Sequence, residues 1–519
     1  ERPMNLLRAA ATISGLTLLS RITGLVRENL TATLFGASAM TDAFFVAFRL
    51  PNLLRRLFAE GAFSQAFVPM LAQARESADE AGFRSFVDRV ATLLFWSLVL
   101  VSVLGVAAAP ALVMLTGSGL TRDAQAFDAG IVMTRWMFPY VLFISLVALA
   151  AGILNTWRRF AVPAFSPVML NLSVIGAALL LHDRFERPVY ALAAGVVIGG
   201  IAQLAIQLPA LARIGMLPRI GLNPLVSLRD AQTRALLARM APAVLAVSAA
   251  QISLMINTHL ASLLAAGSVS WISYADRIME FPTALLGVAL GTVLLPSLTR
   301  AGSRHDDADY QALLDWGLRL ALLLAVPCAI GMALMAEPLC ALLFHYGRFQ
   351  AHDVHMTALA IQAYALGLPG LIAVKVLAPG FFARHDVRTP VRIALGVLVV
   401  TQLLNAALVP WLAHAGLALA TSLAATVNAL LLLVGLHRLG AWRAQPGWGR
   451  LLAQATIASA ALALLLALAV PAFDWTAMGA QPLRRALLAL GLVAAGAALY
   501  ALALLACGLR PRQFLRRES

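Results

Sequence analysis

Arg21, Arg27 and Glu28 interrupt an apolar run from Ala9 to Phe35. The segment that follows, DAFFVAFRLPNLLRRLFAEGAFSQAFVP over residues 42–69, carries Asp42, Arg49, Arg55, Arg56 and Glu60 in what otherwise reads as membrane-embedded helix. An ionised group at the centre of a bilayer costs about 3 kcal/mol on insertion scales, so such groups persist where they face a polar cavity. A guanidinium offers a planar fork of donors that matches two phosphate oxygens at once, so several converging ones would hold an anionic cargo, a diphosphate above all. Arg49 and Arg56 can equally snorkel from helix ends to the headgroups. Arg21, Arg27 and Arg55 lie about 12 or more residues inside their runs or face nearby carboxylates, and so read as substrate-binding. Arg277, from the second half of the chain, would complete the set. It shares one helical face with Asp276 and Glu280, which lie four residues apart. Asp42, Glu60, Asp276 and Glu280 are expected to balance these cations while the site is empty, because an unpaired buried charge is costly. A proton-coupled relay is the alternative role for the same carboxylates. Lys375, the single lysine, lies in the apolar run before Pro379 and fits a functional counter-charge or a helix-end residue equally well.

Positioning these residues is the task of an all-α polytopic membrane protein. Of 519 residues 61% are hydrophobic and 12% charged, far more apolar than a water-soluble core of this size requires. Runs of about 20 apolar residues recur about fourteen times. No secretory signal is convincing at the start, where the run from Ala9 meets Arg21 without a clean cleavage site, so the first helix is expected to stay. The net charge of +15 comes almost wholly from arginine. Those arginines concentrate in alternate loops, among them 75–89, 158–159, 213–239, 384–392 and 438–450, which puts both termini in the cytoplasm. The excess lies beside the membrane with no basic face interleaved with aromatics, so nucleic-acid binding is not expected. Pro51 and Pro282 fall inside spans and are expected to kink them. Setting Gly36 against Gly267 places Pro51 on Pro282, and NTWRRFAVPAFSPV at 155–168 echoes GFFARHDVRTPV at 380–391. An offset of about six helices is even, so the two copies would share one orientation, as in a rocking transporter. The expected organisation is a lobe over residues 4–215, a second over 230–440, and two extra apolar helices over 450–508.

Enzyme-like signals are weak. Asp307 and Asp309 form a DxD in a short polar loop and read as a solvated turn. His345, His352 and His355 match no zinc spacing, and Cys328, Cys340 and Cys507 read as small core residues, so neither metal nor disulfide is expected. No phosphate-binding glycine loop appears, and no cofactor is implied. A transporter is therefore favoured over a membrane glycosyltransferase, which would need a larger extracytoplasmic loop, and over a scaffold.

The sequence resembles the MurJ (MviN) family of lipid II flippases within the MOP exporter superfamily. The resemblance runs through MNLLRAAATISGLTLLSRITGLVRE, TDAFFVAFRLPNLLRRLFAEGAFSQAFVP, GILNTWRRFAVPAFSP, QISLMINTHLASLLAAGSVSWISYADRIMEFPTALLGVALGTVLLPSL and VKVLAPGFFARHDVRTPV. It implies fourteen helices in two pseudo-symmetric six-helix lobes plus two C-terminal helices that shape a groove for a polyprenyl tail. It further implies alternating access that carries lipid II, an undecaprenyl-pyrophosphate-linked peptidoglycan precursor, from the cytoplasmic to the periplasmic leaflet of a bacterial inner membrane. The family's cavity arginines correspond to Arg21, Arg27, Arg55 and Arg277, and its acidic partners to Asp42, Asp276 and Glu280, with Glu60 in the adjoining AEGAFSQ. Expected partners are lipid II and membrane lipids, with cell-wall synthesis or division proteins as candidates, around a monomer. Some members bind sodium through carboxylates and an asparagine. Asn405 and Asn428 have no acidic companion in their spans, so the membrane potential or protons are expected to supply the drive.

Overall fold

The computed structural model describes residues 6–57, 63–77, 80–303 and 307–510, and among them there is no β-strand. The helices α1 (Leu6–Phe35), α2 (Ala39–Arg55), α3 (Phe63–Ser77), α4 (Glu80–Ala107) and α5 (Ala109–Gly117) come first. They are followed by α6 (Ala124–Met137), α7 (Tyr140–Thr156), α8 (Ala161–Leu181), α9 (Tyr190–Arg213), α10 (Pro224–Arg229) and α11 (Ala231–Ser262). Then come α12 (Ser268–Ser303), α13 (Asp307–Leu334), α14 (Ala336–Phe344), α15 (Ala351–Ala365), α16 (Leu368–Ala383), α17 (Arg388–Arg438), α18 (Trp448–Ala469) and α19 (Pro482–Ala506). The chain divides into two compact units, residues 1–270 and 271–519.

In the first unit, caps fix where helices begin. Ser38 accepts from the Thr41 N–H to start α2, and Asp123 accepts from Gln125 and Ala126 to start α6. Asp230 caps α11 through Thr233 and pairs with Arg89. Burial works against ionisation of Asp230, but the Thr233 bonds and Arg89 outweigh it and hold the carboxyl below its usual range. The core gathers Phe63, Phe67 and Phe86, with ring centroids 4.8 and 6.2 Å apart along the series, against Leu149, Ile153 and Leu154 of α7. Helices α8 and α9 approach closely through small residues. A Cβ on Gly195 would lie 2.7 Å from the Val174 backbone, and one on Gly199 would lie 2.6 Å from Leu170, as the small-xxx-small spacing anticipates.

In the second unit, Trp271 of α12 donates to Asp353 at the start of α15 (2.9 Å), and Tyr310 of α13 donates to the Gly380 carbonyl of α16. Helix α17 is two arms that meet at Ala413, whose φ of 50° and ψ of −130° leave the helical region. Arg485 at the start of α19 is fully buried; it donates to the His345 carbonyl at 3.3 Å and lies over the Tyr346 ring. The outer faces of α18 and α19 stay apolar, with Leu464, Leu468 and Leu487 more than half exposed. In a soluble protein such faces would be a liability; in lipid they are the low-energy choice.

The two halves of the chain repeat local geometry. Gly36 and Gly267, each just before a proline-bearing helix, have φ of 67° and 97°. Arg158 and His385 both adopt positive φ after the ends of α7 and α16. Each sits in the same pair of C-terminal bonds: Arg159 to Leu154 and Arg158 to Asn155 in one, Asp386 to Phe381 and His385 to Phe382 in the other. Helices α4 and α5 have 28 and 9 residues, as do α13 and α14.

By length and composition, eight of the described helical segments could cross a membrane, or nine if the pair α15 and α16, bent by 41°, is one span. That tally counts the two-armed α17 once and falls short of the fourteen expected. Helices α1, α2 and α12, which carry the candidate charges, are not in it.

Two glycines should respond oppositely to the same change. A Cβ on Gly119 would lie 1.8 Å from the Ser262 carbonyl oxygen, whereas one on Gly176, within α8, meets nothing within 4 Å. Gly119→Ala is expected to cost about 1–3 kcal/mol by overpacking. Gly176→Ala should stabilise by about 0.5–1 kcal/mol. Thermal melts of the purified variants check both signs.

Candidate functional site

Arg27 is the best-defined of the expected arginines. It projects from the middle of α1 with its side chain 16% exposed, Nη2 2.6 Å from Oε1 of Glu28 and Nη1 donating to Oδ1 of Asn171 at 3.0 Å. Asn171, on α8, is buried and returns its amide to α1, donating to the Ser20 carbonyl at 3.0 Å and to Oγ1 of Thr23 at 3.1 Å. A Cβ on Gly24 would lie 3.5 Å from that amide nitrogen, an ordinary contact distance, so Asn171 packs directly over this turn of α1. The guanidinium is thus gripped on two edges by a buried carboxylate and a buried amide, and its orientation is set before any ligand arrives.

Arg21 lies nearly two turns earlier on α1 and is exposed. Close by, Thr17 and Ser20 of α1, Asn155 of α7, and Phe160, Pro163 and Pro167 line a cavity of about 430 Å³. Arg55, half-buried at the end of α2, donates from Nε to Oδ1 of Asn52 at 3.0 Å. Pro51 stands buried within α2, one turn before it. Glu60 lies outside the described residues.

Asp42 does something other than pair with an arginine. Its carboxylate, 3% exposed, accepts from the Gly267 N–H at 2.7 Å, the Ser270 N–H at 2.8 Å and Oγ of Ser270 at 2.6 Å. It therefore caps the first turn of α12 from another helix, where free N–H groups and the helix dipole favour negative charge. The carboxylate that neutralises Arg27 is its neighbour Glu28.

In the second unit, Arg277 and Glu280 share a face of α12 and pair at 2.7 Å, with side chains 32% and 43% exposed. A pair this exposed contributes little to stability, about 0–1 kcal/mol, and can exchange partners readily. Asp276 is half-buried on the same stretch, and Pro282 follows within the helix. Lys375 of α16 is exposed, and its stem lies 3.3–3.4 Å from where a Cβ on Gly287 of α12 would stand. Asn405 is buried in α17 and donates to Gln402 at 3.2 Å. Among the described residues, no group of three or more His, Cys, Asp or Glu side chains could hold a metal ion.

Asn171 and Glu28 are the partners of Arg27 that the sequence reading did not assign. A polar residue within the apolar run VMLNLSVIG was the available signal for the first, but the partner across 144 positions was not readable.

A family model described as lipid II flippase MurJ matches residues 31–481. The lipid II flippase MurJ of Burkholderia cenocepacia is 52% identical over 516 residues, which cover 99% of this chain and 100% of that one. The chain belongs to the lipid II flippase MurJ family. A solved lipid II flippase MurJ in an inward closed conformation matches 95% of this chain and 99% of its own, with a TM-score of 0.77 at 22% identity. An inward-facing multidrug resistance MATE family transporter of the MOP superfamily matches 83% of this chain and 98% of its own, with a TM-score of 0.69 at 13% identity. At these identities the structural likeness is one of fold alone. Family membership makes the chain a transporter and not an enzyme, so the glycosyltransferase alternative falls away.

Replacing Asn171 by Leu should leave the guanidinium of Arg27 free to swing while keeping the branched shape of the side chain. Complementation of a flippase-depleted strain is expected to drop sharply. Stability should fall by about 1–3 kcal/mol because the Ser20 and Thr23 bonds go too. Asn171→Gln, which keeps both polar ends, should retain more growth than Asn171→Leu at equal membrane abundance.

Proposed function

We propose that this protein translocates lipid II from the cytoplasmic to the periplasmic leaflet of a bacterial inner membrane by alternating access. The observation that carries the reading is the Arg27 guanidinium, held by Glu28 and Asn171 within a chain whose family is defined by lipid II flippases. Substrate binding is assigned to Arg21, Arg27, Arg55 and Arg277. The diphosphate of lipid II carries formal negative charge on oxygens spaced for bidentate donation, and fixed guanidiniums lose little freedom on accepting it. Exchange of the Arg277 carboxylate partner Glu280 for a phosphate oxygen would keep the charge balanced through the cycle. Asp42, Glu60 and Asp276 complete the proposed set for charge balance or coupling, with Asp42 acting through the start of α12.

Fourteen crossings are proposed, grouped as lobes over 4–215 and 230–440 and a helix pair over 450–508. Support comes from the repeated glycine turns before α2 and α12, the matched ends of α7 and α16, and the matched lengths of α4–α5 and α13–α14. Pro51 and Pro282 are the proposed points of bending. Both termini are assigned to the cytoplasm because arginine concentrates in alternate connections. The protein is proposed to act as a monomer, with cell-wall synthesis or division proteins as candidate partners and no sodium site, the drive coming from membrane potential or protons.

Arg27→Ala and Arg55→Ala should each abolish complementation of a flippase-depleted strain, with Arg27→Lys restoring little because a point charge lacks the planar fork. Normal growth of both alanine variants at wild-type abundance would contradict the assignment.

A further inference from the structure

Where α13, α18 and α19 meet, Asp315, Arg319, Gly447, Arg450, Gln454 and Gly508 contribute to the lining of a cavity of about 280 Å³. None of these residues is among the arginines assigned to the diphosphate of lipid II, although Arg450, Gln454 and Gly508 belong to the helix pair over 450–508. Asp315 is 3% exposed, and its oxygens are occupied by Arg319 Nε at 2.7 Å, Trp448 Nε1 at 2.7 Å and the Gln445 N–H at 3.2 Å. Arg319 also donates from Nη2 to the carbonyls of Gln445 and Pro446, at 2.9 and 2.8 Å. The Asp315 and Arg319 charges therefore cancel within one bonded unit. Arg450 remains. It is exposed, and no carboxylate pairs with it among the described residues. The lining carries one uncompensated positive charge.

Glycine shapes the same place. Gly447 and Gly508 have φ of 100° and 85°; a Cβ on Gly447 would lie 3.4 Å from Arg319 Nη1, and one on Gly508 would lie 3.3 Å from Arg450 Nη2. Both guanidiniums thus pack directly against backbone at a glycine, which fixes where they stand at the cavity wall. Gly447 is also the N-cap of α18 and offers no side-chain acceptor to the first-turn N–H groups. Leu451 and Leu509 supply an apolar wall. Both α18 and α19 are long and apolar enough to cross a membrane, so their outer faces suit acyl chains.

We propose that this cavity binds the phosphate of an anionic phospholipid, with Arg450 as its principal contact and Arg319 as the second donor. The occupant is a lipid and not free phosphate, because the cavity lies at the ends of two candidate spans with apolar outer faces. Which leaflet it samples follows from the orientation proposed above, and by that orientation it is the cytoplasmic one. The binding itself depends on neither that orientation nor the flippase reading.

The test uses the purified full-length protein in neutral detergent. Phosphatidylglycerol, phosphatidylcholine and inorganic phosphate are titrated separately while the melting temperature is followed, and bound lipid is counted by native mass spectrometry. Phosphatidylglycerol is expected to raise the melting temperature of the wild type, and phosphatidylcholine and inorganic phosphate to leave it unchanged. Arg450→Gln should weaken the apparent phosphatidylglycerol affinity at least about fivefold, with Arg450→Lys in between. Equal phosphatidylglycerol responses and adduct counts in the wild type and Arg450→Gln would overturn the site. An equal response to inorganic phosphate would overturn the lipid as its occupant. Should Arg450→Gln fail to fold, the Arg450→Lys comparison decides: unchanged affinity there overturns the proposal, and a reduced one supports it.

Discussion

A guanidinium within an apolar helix persists only if acceptors reach it, and the Arg27 arrangement meets that constraint with a minimum of parts. Glu28 supplies the opposite charge from the adjacent position, and Asn171 supplies a neutral acceptor while its amide bonds back to the helix that bears Arg27. The consequence is a cation whose charge is compensated locally and whose direction is fixed from a different helix. Burial raises the electrostatic value of every bond in this network, and it raises equally the cost of leaving any member unpaired. Helix α8 must therefore stay packed on α1, and the close α8–α9 contact at Gly195 and Gly199 holds α8 from its other side.

The carboxylates divide their work by position. Glu28 is buried beside its arginine, Glu280 is half-buried beside Arg277, and Asp42 is buried against the start of α12, with no arginine paired to it among the described residues. One chemical group thus acts as a fixed counter-ion, an exchangeable partner and a helix cap. The difference follows from what each can reach.

Much of this was legible in the sequence. The all-α class followed from composition, and the family followed from long motifs spread over the whole chain. The alignment of Gly36 with Gly267 proved to pair two glycines with positive φ, because a tight turn before each proline-bearing helix demands that conformation. The echo between 155–168 and 380–391 likewise ends two helices in the same bonds, even though Arg158 and His385 occupy positions where glycine would be cheaper. What stayed hidden was pairing between distant segments. The sequence offered Asp42 as a balancing charge because an unpaired buried cation is costly, yet position along the chain does not tell in which direction a side chain leaves its helix, and Asp42 turns to the first turn of α12. Asn171 was hidden for the same reason, and so was the cancellation of Arg319 by Asp315 that leaves Arg450 unbalanced.

The most direct test is a comparison of lipid II affinity in the purified wild type and Arg27→Gln by native mass spectrometry, with a neutral polyprenol as the control ligand. If Arg27 grips the diphosphate, the variant should bind lipid II at least about tenfold more weakly, the loss expected for one charge-assisted bidentate contact, while polyprenol binding stays the same. Equal lipid II affinity in the two proteins would contradict the account.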